Sequence, residues 1–175
     1  MRAALAAIVI LCLAAPASAQ EYRRFDLSGG YSRGLFIDFD VDQEFHGWVV
    51  SAAGSVTRWL GIIGEVGGNY ETFSVGEFDI DVSLHSFMSG ARFRVPSNPR
   101  VTPFGQLLVG AVRLAGSAMG QSAVETRFAL QPGGGVDLWF TRNIGVRVGA
   151  DYRRLFGNVD DPNGIRFHGG IVLGR

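Results

Sequence analysis

Polar and apolar residues alternate along most of this chain after an apolar N-terminal segment. Ile144, Val146 and Val148, for example, alternate with Arg147 and with Asp151 further on. Side chains of a β-strand point alternately to two faces, whereas an α-helix has a period of 3.6 residues. The pattern therefore predicts strands with one apolar and one polar face. We expect eight, near residues 23–34, 45–57, 61–73, 81–95, 102–116, 123–140, 144–156 and 164–174.

A short motif recurs at one end of these predicted strands. Residues 57–61 and 141–145 share the form Thr-Arg-x-x-Gly, and a third turn at 96–101 lies midway between them. Arg58, Arg100 and Arg142 are equally spaced along the chain. A repeat of this size marks a supersecondary unit. It predicts an up-and-down series of β-hairpins.

The connections between the predicted strands alternate in length. Short turns are expected at 58–60, 96–101 and 141–143, and longer polar loops at 35–44, 74–80, 117–122 and 157–163. Short turns at one end and longer loops at the other are typical of bacterial outer-membrane barrels. Each strand is also long enough for a tilted membrane strand of about 9–11 residues.

In such a barrel the polar face points inward. An arginine facing lipid near the midplane costs about 2–4 kcal/mol, so a one-residue slip of a charged strand is disfavoured. The fifth strand stays open, because Gln106 suggests that even positions face inward, yet Leu108 and Val112 share that face. The other strands place these polar residues inside: Glu65, Arg92, Arg94, Gln131, Asp137, Arg147, Asp151 and Arg166.

Aromatic residues fall near both ends of the predicted strands, as in the two interfacial belts of membrane barrels. The register points some of them inward. Those near the short turns are Phe25, Trp59, Phe93, Phe104, Trp139 and Phe140. Those nearer the long loops are Tyr31, Trp48, Tyr70, Phe73, Phe128, Tyr152 and Phe167.

The N-terminus predicts export. A basic start, an apolar stretch too short to span a membrane, and the small residues 17–19 form a secretory signal peptide, so we expect residues 1–19 to be removed and residues 20–175 to form one barrel domain. Cys12 lies in the signal and follows Leu11, which argues against lipidation. The mature chain then has no cysteine, and no later apolar run is long enough for a helical anchor.

The charge balance gives no indication of nucleic-acid binding, because the 16 basic residues are equal in number to the 16 acidic residues. Every basic residue is an arginine. A GC-rich genome accounts for this bias. Pairing of arginines with carboxylates inside the fold, where the guanidinium fork is favoured, is a compatible explanation.

The chain resembles the small bacterial outer-membrane β-barrels of the OmpA-type, porin-like family. The resemblance is carried by residues 87–93 (Phe-Met-Ser-Gly-Ala-Arg-Phe), 103–106, 133–137, 144–147 and 151–152. It implies an all-β, eight-stranded antiparallel up-and-down transmembrane β-barrel. It also implies a monomer that contacts outer-membrane lipid and lipopolysaccharide and is inserted by the barrel-assembly machinery.

The chain departs from the family at its C-terminus. Such barrels usually end in an aromatic residue, whereas this sequence ends Val172-Leu173-Gly174-Arg175. We also expect no periplasmic peptidoglycan-binding domain, so the anchoring role of larger relatives is not carried over.

No catalytic, cofactor or metal site is predicted. His85 and Ser86 are adjacent and so face opposite sides of a strand, His46 has no evident serine partner, and His168 faces inward with Arg166. The spacing Asp38-x-Asp40-x-Asp42 resembles a calcium loop but lacks its glycine and last ligand, so we interpret it as strand extension.

The expected role is structural or one of surface interaction, with an interior filled by side chains and no wide pore. Two alternatives remain. A soluble periplasmic lipocalin-like barrel would turn the apolar face inward around an apolar ligand. An outer-membrane lipid-modifying enzyme would need a Ser–His arrangement.

Overall fold

The computed structural model describes residues 23–36, 44–75, 78–95, 98–118, 121–157 and 163–175. They form a closed barrel of eight antiparallel strands, in which each strand pairs with the next and the last pairs with the first. The strands are β1 (Phe25–Phe36), β2 (Glu44–Ser55), β3 (Leu60–Val75), β4 (Phe78–Arg94), β5 (Val101–Ala118), β6 (Gln121–Trp139), β7 (Ile144–Phe156) and β8 (Asn163–Gly174). The predicted fold class and all eight strands are confirmed.

The barrel is taller on one side than on the other. Strands β3 to β6 have 16, 17, 18 and 19 residues, whereas β1, β2, β7 and β8 have 12 or 13. Pairing continues to Val75 opposite Phe78 and to Ala118 opposite Gln121. The longer loops predicted at 74–80 and 117–122 are therefore wrong. Continuing the ladder satisfies backbone N–H and C=O groups that a loop would leave to water.

The repeated Thr-Arg-x-x-Gly segments form two equivalent turns. Thr57 Oγ1 accepts hydrogen bonds from the backbone N–H groups of Trp59 (3.3 Å) and Leu60 (3.0 Å). Thr141 Oγ1 does the same for Asn143 (3.3 Å) and Ile144 (2.9 Å). A threonine hydroxyl that bonds nearby backbone groups stabilises a tight turn. The repeat thus marks one end of the barrel, here called the turn end; the opposite end is the loop end.

The predicted faces are confirmed on the third, fourth, sixth, seventh and eighth strands. Large apolar side chains point away from the barrel axis, among them Ile62, Phe87, Phe128, Val148 and Ile171, and each is exposed. The eight predicted inward residues are buried, apart from a partly exposed Arg94. This arrangement is the reverse of a lipocalin, whose apolar face is internal, so the soluble ligand-binding alternative is wrong.

The fifth strand has even positions inside, because Phe104, Gln106, Leu108 and Val112 are buried while Leu107 is exposed. The interior is therefore only partly polar. Leu108 and Val112 join a buried apolar cluster with residues from five other strands: Ala53, Ile63, Leu84, Met88, Ala129 and Leu155. An eight-stranded barrel is just wide enough to be filled by such side chains.

Candidate functional site: the barrel interior

A carboxylate near the turn end collects three arginines. Asp26 Oδ1 accepts hydrogen bonds from Arg92 Nη1 (3.2 Å) and Arg147 Nη2 (3.0 Å), and Asp26 Oδ2 accepts one from Arg94 Nη2. Arg147 also donates to both oxygens of Asp137, at 2.6 and 2.9 Å. We call Asp26, Arg92, Arg94, Asp137 and Arg147 the Asp26 cluster. Buried charges are tolerated when they are paired and hydrogen-bonded in this way.

An inward aromatic ring supports this cluster. The guanidinium carbons of Arg92 and Arg147 lie 4.7 and 5.0 Å from the centre of the Phe104 ring. A cation is attracted to the face of an aromatic ring, and more strongly where water is excluded. Phe104 therefore belongs to the interior and not to the interfacial belt that its position near a short turn suggested.

A second cluster lies nearer the loop end and is centred on an arginine. Arg166 Nη2 donates to Glu65 Oε1 and to Asp151 Oδ2, both at 2.6 Å. Gln131 Nε2 donates to the same Glu65 oxygen at 3.1 Å, and its own Oε1 accepts a hydrogen bond from Arg153 Nε at 2.8 Å. We call Glu65, Gln131, Asp151, Arg153 and Arg166 the Arg166 cluster.

Gln106 connects the two clusters. Its Oε1 accepts hydrogen bonds from Arg92 Nε (3.1 Å) and Nη2 (2.8 Å), and its Nε2 donates to Asp151 Oδ1 at 2.9 Å. The side-chain amide is suited to this position because it offers both an acceptor and donors. A continuous hydrogen-bonded chain thus runs along the barrel axis from Asp26 to Arg153.

Glycines on the inner face make room for these side chains. A Cβ at Gly133 would overlap the carboxylate of Asp151, and one at Gly149 would lie 2.7 Å from His168 Cε1 and Nε2. The two glycines therefore allow an acid and a histidine to fit within a narrow barrel.

The turn end is covered by an aromatic ring and a cation. Trp139 is buried on the inner face, and the Arg23 guanidinium carbon lies 3.7 Å from the centre of its ring. Arg23 Nε also donates to the Arg142 carbonyl at 3.1 Å, which ties the N-terminal segment to a short turn. The contact places the Arg23 guanidinium over the Trp139 ring at the turn end of the barrel.

The aromatic belts are confirmed for the outward-facing residues. Phe25, Trp59, Phe93 and Phe140 are exposed at the turn end, and Tyr31, Trp48, Tyr70, Phe128, Tyr152 and Phe167 at the loop end. Trp59 and Phe93 also stack across neighbouring strands, with ring centres 6.2 Å apart. The side chain of Phe73 lies outside the described residues.

Two histidines pair with tyrosines, and the third lies beside a carboxylate. His46 Nδ1 and His85 Nε2 are hydrogen-bonded to the hydroxyls of Tyr31 and Tyr70 on the outer surface. Ser86 is buried on the inner face, so the predicted separation of His85 and Ser86 is confirmed. His168 Nε2 lies 3.4 Å from Asp151 Oδ2, inside the barrel as predicted.

The described residues contain no group of three or more His, Cys, Asp and Glu side chains that could hold a metal ion. The acidic segment with Asp38, Asp40 and Asp42 lies outside them. Nor do the described residues include a helix that is long and apolar enough to cross a membrane.

The family is identified by a sequence comparison. The model of the outer membrane protein beta-barrel domain matches residues 3–172. The chain belongs to this family. Membership places it in the outer membrane, where the short turns of such barrels face the periplasm and the loops face outward. No curated protein matches the chain significantly.

Solved structures of outer-membrane barrels have the same fold. Neisserial surface protein A superposes with a TM-score of 0.74 at 14% identity, covering 89% of this chain and 100% of its own. The attachment invasion locus protein Ail of Yersinia pestis superposes with a TM-score of 0.64 at 21% identity, with the same coverage of both chains. The N-terminal barrel of Pseudomonas aeruginosa OprF superposes with a TM-score of 0.59 at 11% identity, covering 89% of this chain and 100% of its own.

Asp26, the residue at the centre of the first cluster, is not among the residues that the sequence predicts to be internal. Asp26 lies between two outward-facing residues, Phe25 and Leu27, so the alternation could have placed it inside. Gly29, Gly30 and Gly34 interrupt that pattern further along β1. The alternation was consequently too short to assign the faces of this strand.

Proposed function

We propose that this outer-membrane barrel is a closed, non-enzymatic, monomeric protein with a structural and surface-interaction role, and that it does not conduct solutes in bulk. The continuous side-chain network from Asp26 to Arg153 carries the proposal. Arg92, Gln131, Asp137 and Asp151 are each no more than 2% exposed within it, and Leu108 and Val112 fill the space beside it. A filled interior is what an eight-stranded barrel of this width favours.

Single-channel recording in planar bilayers tests the closed interior. We expect the wild-type barrel to show no stable conductance on the nanosiemens scale. Arg92→Ala removes a fully buried side chain from the network and is expected to produce brief openings, whereas Arg94→Ala, a partly exposed arginine of the same cluster, should stay silent. A stable nanosiemens-scale conductance from the folded wild-type monomer would overturn the proposal.

The proposed surface partner is lipopolysaccharide. Arg113 and Arg154 face outward near the loop end, where lipid phosphates of the outer leaflet lie. Arg113 is opposite His85 in the strand register, so the imidazole adds a second polar side chain beside it. Guanidinium groups bind phosphate through charge-assisted hydrogen bonds. Outward arginines at this height support contact with phosphorylated lipid headgroups.

Thermal stability in two bilayers tests this partner. Wild-type barrel should unfold at a higher temperature in vesicles with lipopolysaccharide than in phosphatidylcholine alone. Arg113→Gln with Arg154→Gln should remove most of the difference, while Arg100→Gln at a short turn should retain it. An unchanged difference in the double variant would exclude these arginines as the contact.

Export and assembly complete the proposal. A signal peptide at residues 1–19 directs the chain across the inner membrane, and the barrel-assembly machinery inserts the mature domain. N-terminal sequencing of protein from outer-membrane fractions should begin at Gln20. An N-terminus before residue 17 would contradict the cleavage site.

A further inference from the structure

A small, half-open cavity lies at the loop end of the barrel interior, lined mainly by residues of the shorter strands. Its volume is about 30 Å³, and its lining is mainly apolar, with Leu35, Phe45, Leu84 and Ile165 around the two arginines Arg153 and Arg166. A water molecule needs roughly 10–15 Å³ measured in this way, so the space suits two waters or one group of carboxylate size.

Both arginines that line the cavity have bonding capacity left. Arg166 is 3% exposed, and its Nη1 has no hydrogen-bond partner among the described residues. Arg153 is 8% exposed and, within the described part of the chain, donates to neutral groups, Gln131 Oε1 at 2.8 Å and Ser86 Oγ at 3.4 Å. Both carboxylates of the cluster, Glu65 and Asp151, are bonded to Arg166.

A buried guanidinium without an anionic partner is costly, and an unpaired buried N–H adds to that cost. A compact anion in the cavity would pair with Arg153 and lie beside Arg166, and charge-assisted bonds of this kind are among the strongest in proteins. The apolar walls accommodate a short aliphatic group better than a hydrated ion. We infer that this cavity is a binding site for a small monoanion, with short aliphatic carboxylates as the preferred class.

This site is separate from the proposed surface role. It lies at the loop end of the barrel interior and uses neither Arg113 nor Arg154, the outward residues assigned to lipid contact. The cavity binds its anion whether or not lipopolysaccharide is a partner. A negative result in the lipopolysaccharide experiment therefore does not affect the anion titration, and the reverse also holds.

Arginine side-chain NMR of the intact barrel in detergent micelles tests the site. Acetate and propionate are titrated at constant ionic strength, and the Nε–H signals of Arg153 and Arg166 are followed. We expect saturable shifts at these two arginines and none at Arg147. A parallel titration with chloride distinguishes an inorganic source of the same chemistry, because a site for aliphatic carboxylates should bind propionate more tightly than chloride.

Variants separate the site from general effects of charge. Arg153→Gln should weaken binding about tenfold or more, as expected for the loss of a charge-assisted hydrogen bond. The matched control Arg94→Gln removes the same charge from the Asp26 cluster and should bind like wild type. Glu65→Gln frees Arg166 from a carboxylate and should strengthen binding, with heat-modifiable mobility confirming that each variant is folded.

Three results would overturn the inference. One is the absence of a saturable shift with acetate, propionate and chloride. Another is equal weakening in Arg94→Gln and Arg153→Gln. The third is a change of the Arg153 signal, without added anion, when Asp38, Asp40 and Asp42 are replaced by Asn, because the acidic segment would then already occupy the cavity. If Arg153→Gln does not fold, anion titrations of the wild-type protein and of Glu65→Gln test the inference in its place.

Discussion

The Asp26 cluster and the Arg166 cluster use the same residue types in opposite ways. In the first, one carboxylate accepts hydrogen bonds from Arg92, Arg94 and Arg147. In the second, one guanidinium donates to Glu65 and Asp151. A carboxylate only accepts hydrogen bonds, whereas a guanidinium has five N–H donors in a fixed fork. The cluster centred on arginine is therefore the one with donors left for a ligand.

The two clusters should also differ in how much their central residue contributes to the stability of the barrel. Asp26→Ala should lower the free energy of unfolding the most. It leaves three guanidinium groups near the turn end without their shared acceptor. Breaking a buried pair from one side costs about 3–5 kcal/mol, and we expect the upper end of that range. Urea unfolding in lipid vesicles, followed by tryptophan fluorescence, measures the free energy. Ser28→Ala, which removes a neutral partner of Arg147, is the control, and a loss below about 1 kcal/mol for Asp26→Ala would contradict the central role.

Arg166→Gln should be the next most destabilising change, at about 3 kcal/mol. The loss is smaller because both carboxylates keep another donor, Gln131 for Glu65 and Gln106 for Asp151. The same unfolding measurement applies. The comparison would be reversed if Arg166→Gln destabilised the barrel more than Asp26→Ala.

Gln106→Leu should cost about 2 kcal/mol, because it leaves buried polar groups of Arg92 and Asp151 without their shared partner. It also tests whether the two clusters act together. A double-mutant cycle with Arg166→Gln should show coupling, because Gln106 and Arg166 both donate to Asp151. Strictly additive effects would show that Gln106 fills space without connecting the clusters.

Arg94→Gln should be the mildest change, at about 1 kcal/mol or less. Its side chain is 12% exposed, compared with 1% for Arg92, so water can replace part of its interaction, and Asp26 keeps two other arginines. Urea unfolding under the same conditions measures this change in the free energy of unfolding. If Arg94→Gln lowered the free energy of unfolding as much as Arg166→Gln, water would have less access to Arg94 than its exposed fraction indicates.

The two mispredicted loops and the unassigned faces of the fifth strand have specific causes in the sequence. The polar stretches at 74–80 and 117–122 were interpreted as loops, yet the backbone remains paired to Val75 and Ala118. Residues 117–122 lack the alternation that identifies a strand, whereas Phe78, Asp79 and Ile80 do alternate but lie next to the polar residues that predict a loop. Leu108 and Val112 obscured the fifth strand because the interior contains an apolar cluster as well as charges.

The sequence alone determined the eight strands and the two faces of five of them, because these depend on a local period of two residues, and its motifs indicated the family. It also indicated which charges are internal, since an arginine facing lipid is costly. Only the tertiary structure decided which charges meet. Asp26 on β1 and Arg147 on β7 are far apart in the chain and come together because β8 pairs with both strands when the barrel closes. Pairing across the barrel depends on its closure, width and strand stagger, which no local pattern contains.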